Sequence, residues 1–150
     1  MKLFSKRLII SFLVCLFMVY LTELFTMEPN VISGNGNLGI VFVILSILSF
    51  FFFGREVWKA LANTGCSKRK WLLMIISSLF ILGLSAFLEV TYVMNVIKQL
   101  GGPPSNINSK IYRYNWLNQY TNALYVNTYT FFILISSIIF AYSIKQFIQK

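Results

Sequence analysis

Glu23, Glu28, Glu56 and Glu89 are the entire acidic inventory of this 150-residue chain, which contains neither aspartate nor histidine. That removes the commonest general base, the Ser–His and Cys–His couples, and any His- or Asp-built metal centre. No catalytic residue, bound cofactor or metal is expected, and the chain does not read as an enzyme. Glu89 is the most informative acid. It sits in a long apolar run with Ser85 one turn earlier on the same helical face, flanked by Gly83 and Ala86. A carboxylate in such a run raises a functional question by default. Glu89 and Ser85 are therefore a candidate intramembrane polar site, either a helix-contact face or a proton or cation relay. With one deep acid and no histidine, the contact face is the favoured reading. Glu23 lies near the end of its own apolar run, where it can snorkel to water. The paired serines Ser46/Ser49, Ser77/Ser78 and Ser136/Ser137 lack a base to activate them and read as helix-packing positions. Cys15 falls mid-run as a buried small residue, and Cys66 reads as an exposed thiol among basic neighbours, so a disulfide is not expected.

The elements that carry these residues follow from hydropathy. The chain is 57% apolar, 17% aromatic and only 11% charged, with a mean hydropathy of +0.72. A soluble domain carries about 25% charged residues, so a water-soluble fold is not expected. Four apolar stretches, at about 8–25, 37–54, 71–94 and 125–144, approach or reach the ~20 residues needed to cross a bilayer. The expected fold is an all-α integral membrane protein forming one transmembrane unit. The first stretch is too long for a signal-peptide core, and no small-residue cleavage site follows it, so it reads as a retained anchor. Lys2, Lys6, Arg7, Arg55, Lys59, Lys68, Arg69, Lys70, Lys145 and Lys150 fall on one side. Only Lys98, Lys110 and Arg113 fall on the other. The positive-inside rule then places both termini in the cytoplasm, with the chain multi-pass in the membrane. The net charge of +9 is thus a topology signal, with attraction to anionic lipid as a second effect. It does not indicate nucleic-acid binding.

Outside the spans, Ser33-Gly34-Asn35-Gly36 marks a turn-rich first outer loop, and Gly101-Gly102-Pro103-Pro104 must end the third helix. Tyr112, Tyr114, Trp116 and Tyr120 follow, interleaved with asparagines. They read either as a short interfacial helix on the outer leaflet or as an outer ligand rim, because Tyr and Trp suit both places.

The segment between the second and third spans is the most specific feature. Val57, Trp58, Ala60 and Leu61 recur at helical spacing against Arg55, Glu56, Lys59 and Asn63. Gly65 fits a helix stop and Ser67 an N-cap for the next span. The run Ala60-Leu61-Ala62-Asn63-Thr64-Gly65-Cys66-Ser67-Lys68-Arg69-Lys70, followed by Trp71, resembles the segment before the third transmembrane helix of bacterial ABC-2-type exporter permeases, particularly short forms from low-GC Gram-positive bacteria. The resemblance implies a short coupling helix at Arg55–Ser67 touching a separate ABC ATPase subunit. Arg55, Glu56, Trp58, Lys59, Leu61, Gly65 and Ser67 would be the coupling residues. Trp58 and Leu61 would form the apolar anchor. That family normally has six spans, so this chain would be a reduced permease or one completed by another permease subunit or a homodimer. The chain has no Gly-x-x-x-x-Gly-Lys-Ser/Thr motif of its own. The alternative expectation is a non-transporting membrane accessory, immunity or regulatory protein that binds a membrane partner.

Overall fold

The computed structural model describes residues 5–32, 34 and 36–149. Lys2, Ser33, Asn35 and Lys150 lie outside the described residues. Within them the chain is all-helical, with no strand: α1 spans Lys6–Leu24, α2 Gly39–Ala62, α3 Lys68–Gln99 and α4 Thr128–Gln149. All four are long and apolar enough to cross a membrane. Ser5 caps α1, its hydroxyl accepting the Leu8 N–H at 3.1 Å. α1 packs on α2, α3 packs on α4, and α2 joins the two pairs by running alongside α4. The start of α1, the end of α2, the start of α3 and the end of α4 gather Lys6, Arg7, Arg55, Lys59, Lys68, Arg69, Lys70 and Lys145 at one end. That is the basic end. The opposite end holds most of the tyrosines.

Phe131 is the centre of the core. Its ring lies 5.3 Å from Phe50, 5.7 Å from Phe53 and 6.0 Å from Phe12, so one α4 side chain ties α1 and α2 together. Toward the basic end the same core contains Val57, Leu61, Tyr142 and a fully buried Trp71. Most of the serine positions are at least partly buried between helices, but Ser77 is exposed and does not pack in the way expected. Thr22 of α1 and Ser46 of α2 share a buried hydroxyl contact of 3.2 Å, and Ser78 and Ser136 return their hydroxyls to carbonyls of their own helices. Cys15 is buried among them, whereas Cys66 is half-buried against the core and is not the exposed thiol expected from its neighbours.

Three boundaries differ from the sequence reading. First, α2 does not stop at Gly54 but continues for about two turns, so 55–62 is the end of a span helix and not a separate coupling helix. The helix continues because Val57 and Leu61 remain on the face that meets the core. Second, α2 is closed at Asn63 and Gly65 takes no positive φ, so Gly65 is a linker residue and not the stop. Ser67 does occupy the N-cap position of α3, but its side chain makes no capping hydrogen bond. Third, α3 runs to Gln99, where Gly101 (φ 82°) and Gly102 (φ 121°) turn the chain as expected. Beyond them no interfacial helix forms. The segment 100–127 is a series of turns with a single 3-10 turn at Asn122–Leu124.

That irregular segment is pinned to the helix ends by side-chain amides. Asn37 and Asn122 exchange hydrogen bonds, Asn37 Nδ2 to Asn122 Oδ1 at 3.1 Å and Asn122 Nδ2 to Asn37 Oδ1 at 2.6 Å. Gly39 makes this approach possible: a Cβ there would lie 2.7 Å from the Phe25 carbonyl and overlap Asn122. The loop between α1 and α2 is held from the same side. The Met27 N–H reaches the Gln119 carbonyl at 2.8 Å, the Tyr120 hydroxyl reaches that of Val31 at 3.2 Å, and the Lys110 ammonium reaches that of Pro29.

Candidate functional site: an acidic, tyrosine-lined cleft

The site is organised around the N-terminus of α4. An α-helix begins with unpaired N–H groups and a partial positive charge. Asn127 answers both needs. Its Oδ1 accepts the N–H groups of Tyr129 at 2.8 Å and Thr130 at 2.9 Å, and the Thr130 hydroxyl accepts the Asn127 N–H at 2.9 Å. This reciprocal pattern is a capping box with threonine in place of the usual Glu or Gln. The other side of the Asn127 amide donates to Glu89 Oε2 of α3 at 2.8 Å and to the Ala123 carbonyl at 2.8 Å. From α1, Glu23 reaches the same helix end, sharing a cavity wall with Thr128. Carboxylates from two different helices thus meet at one positive helix end.

Beside this junction opens a cleft of about 520 Å³, lined by Glu23, Met27, Glu28, Tyr92, Tyr120 and Tyr129, among others. The Tyr92 and Tyr129 rings form one wall, 6.1 Å apart and tilted by 60°. Tyr120 is held in place by burial against Leu100 and Ile111. A second recess of similar volume, about 530 Å³, continues from Glu28 toward Gln99 and Lys110. Chemically, the cleft offers negative charge at Glu23 and Glu28 and π-faces at three tyrosines. This combination suits an ammonium or guanidinium group on an apolar stem.

Glu89 sits at this junction, where it receives the Asn127 amide at the start of α4. Ser85 is buried one turn deeper on the same face of α3 and does not line the cleft. The outer aromatic residues do not form one rim. Tyr120 lines the cleft, Tyr114 lines a separate shallow recess near Asn37, Tyr112 lies under the Arg113 guanidinium at 5.1 Å, and Trp116 is half-exposed. They separate because 100–127 folds by turns and not as a helix with one aromatic face. Tyr92, Tyr129, Glu28 and Asn127 were missed as site residues. For Asn127 a signal existed, since Asn127-x-x-Thr130 directly precedes an apolar run.

The coupling residues at the basic end are also redistributed. Leu61 is buried in the bundle's own core and presents no anchor to a partner. Trp58 is 41% exposed, with its ring set edge-on to Tyr142 at 4.8 Å. Glu56 is paired to Lys59 at 2.7 Å, while Arg55, Gly65 and Ser67 are exposed. Comparison with known proteins returns no matching family model, curated protein or solved structure. The functional reading therefore rests on geometry.

Proposed function

We propose that this chain is a four-span bacterial cell-membrane protein with its basic end in the cytoplasm, acting as a non-transporting accessory, immunity or regulatory protein. Its working site is the outer cleft, and its partner presents a cationic group there. The supporting observation is the cleft beside the α4 N-terminus, where Glu23 and Glu28 face three tyrosines. In contrast, the apolar side of 55–62 is already occupied by the bundle, which leaves a coupling role less to work with. Binding of a short lysine-containing amphipathic peptide to the full chain in nanodiscs tests the reading, with the same peptide acetylated on lysine as the control. A hydrogen bond to a charged group contributes about 1.5–3 kcal/mol. Glu28→Gln should therefore weaken the cationic peptide roughly tenfold and leave the acetylated one unchanged. Equal affinity for the two peptides would overturn the proposal.

One observation favours a second reading, a permease subunit of an ABC-type exporter. The end of α2 extends past the apolar stretch and leaves Arg55, Trp58 and Lys59 exposed beside Lys68, Arg69 and Lys70. An ABC ATPase docking there, with a homodimer or another permease subunit completing the membrane part, would co-purify from mild detergent in stoichiometric amount. Recovery without any ATPase removes that reading.

A further inference from the structure

At the basic end a second cavity lies on the bundle's outer surface, between α2 and α4, where the two helices run side by side. Its volume is about 320 Å³. Gly54 forms its floor, because the missing side chain brings the helices together: a Cβ at Gly54 would sit 2.8 Å from Ile138 Cδ1. Phe51, Leu134 and Ile138 supply apolar walls, and Arg55 and Trp58 stand at the mouth. The Lys145 ammonium approaches the Trp58 ring to 5.9 Å, so the mouth carries two cations around one indole. Glu56 is the sole acid at this end and is paired to Lys59 at 2.7 Å. Among the described residues the Arg55 guanidinium makes no ion pair.

We propose that this groove is a binding site for one anionic phospholipid of the leaflet at the basic end, with an acyl chain along Phe51, Leu134 and Ile138 and the phosphate on Arg55. Charge decides between occupants. A second copy of the chain docked with the same end alongside would bring a second set of Arg55 and Lys145 against the first, and like charges repel. A zwitterionic lipid would fill the apolar groove and offer the same phosphate, but its headgroup ammonium would cancel that charge beside Arg55 and Lys145. An anionic headgroup satisfies both parts: Arg matches phosphate oxygens in a bidentate fork, and Trp58 stands at headgroup depth. The site requires membrane insertion with the basic end at an interface, and it is independent of what enters the opposite cleft.

Tryptophan quenching in bilayers reads the occupancy directly. Trp71 is fully buried and Trp116 lies at the opposite end, so a Trp116→Phe background leaves Trp58 as the lipid-accessible reporter. The full chain is reconstituted with phosphatidylcholine brominated near the headgroup, or with equally brominated phosphatidylglycerol, at the same low mole fraction. One basic residue near the surface favours anionic lipid by about fivefold. Wild type should show phosphatidylglycerol preferred at Trp58 by at least that factor, and Arg55→Gln should lower the preference about fivefold, to what Lys145 alone sustains, while phosphatidylcholine quenching persists. Leu134→Phe, which narrows the groove without altering charge, should lower quenching by phosphatidylglycerol. No preference in wild type, a preference unchanged by Arg55→Gln, or weak quenching by both lipids, as a second copy seated in the groove would give, each overturns the proposal.

Discussion

The two ends of this molecule solve the same problem by opposite means. At the basic end the backbone stays helical through the boundary of the apolar stretch, so its N–H and C=O groups are paired without help and the side chains remain exposed cations. At the tyrosine end the chain leaves helix for 28 residues between Gln99 and Thr128, and each turn needs a partner for its free backbone groups. Asparagine, serine and threonine provide those partners. Asn118 Oδ1 takes the Tyr120 N–H at 2.9 Å, Thr121 Oγ1 takes that of Asn118 at 3.0 Å, and Ser109 donates to the Gly102 carbonyl at 2.6 Å. The comparison teaches where polar burial is structural and where charge is free to meet a partner. Most buried polar residues of the tyrosine end hold the fold, whereas the cations of the basic end are held by little besides the Glu56–Lys59 pair.

If that contrast is right, the largest effects belong to the tyrosine end. Asn127→Ala removes the cap of α4 and the partner of Glu89 together. A cap is worth about 0.5–2 kcal/mol and a charged hydrogen bond about 1.5–3 kcal/mol. A loss of about 3 kcal/mol in detergent unfolding is expected, with hydrogen exchange rising first at the start of α4. An effect below about 0.5 kcal/mol would mean that α4 does not depend on this junction. Gly39→Ala should come next, costing about 1–3 kcal/mol through overpacking against Asn122 and the Phe25 carbonyl. Chemical denaturation of both single variants and of the Gly39→Ala/Asn122→Ala double variant checks the contact, because the double variant should lose less than the sum of the two singles.

Smaller effects sharpen the other side of the comparison. At the basic end the Ser143 hydroxyl is buried without a hydrogen-bond partner, and an unmade bond costs about 1–3 kcal/mol. Ser143→Ala should therefore stabilise the protein by about 1 kcal/mol, seen as a raised unfolding midpoint; destabilisation would reveal a partner for that hydroxyl. Glu89→Gln keeps an oxygen for the Asn127 amide and should shift stability by less than about 1 kcal/mol. If activity disappears while the fold survives, Glu89 carries a charge-dependent function and the contact-face reading fails. Gly65→Ala should be the mildest, within about 0.5 kcal/mol, since nothing lies within 4 Å of the added Cβ. Thermal scans of both proteins suffice to compare them.

How much was legible beforehand divides along the same line. Four apolar helices, the turn at Gly101-Gly102 and the clustering of cations at one end follow from hydropathy, backbone freedom and charge position, all local properties of neighbouring residues. The extension of α2 to Ala62 was half-visible, because Val57 and Leu61 keep helical spacing, but whether that face meets a partner or the chain's own core depends on where α4 lies. In sequence, Glu23 and Glu89 are separate acids on separate helices. Sixty-six positions apart, they converge only because α4 starts between α1 and α3 with its positive end exposed to both. The cleft depends on that same convergence of residues from α1, α3 and the chain before α4. Hydrophobicity and helix propensity belong to short stretches and can be read in order. The pairing of distant polar groups is a three-dimensional property, decided when packing brings a carboxylate to an unpaired helix end.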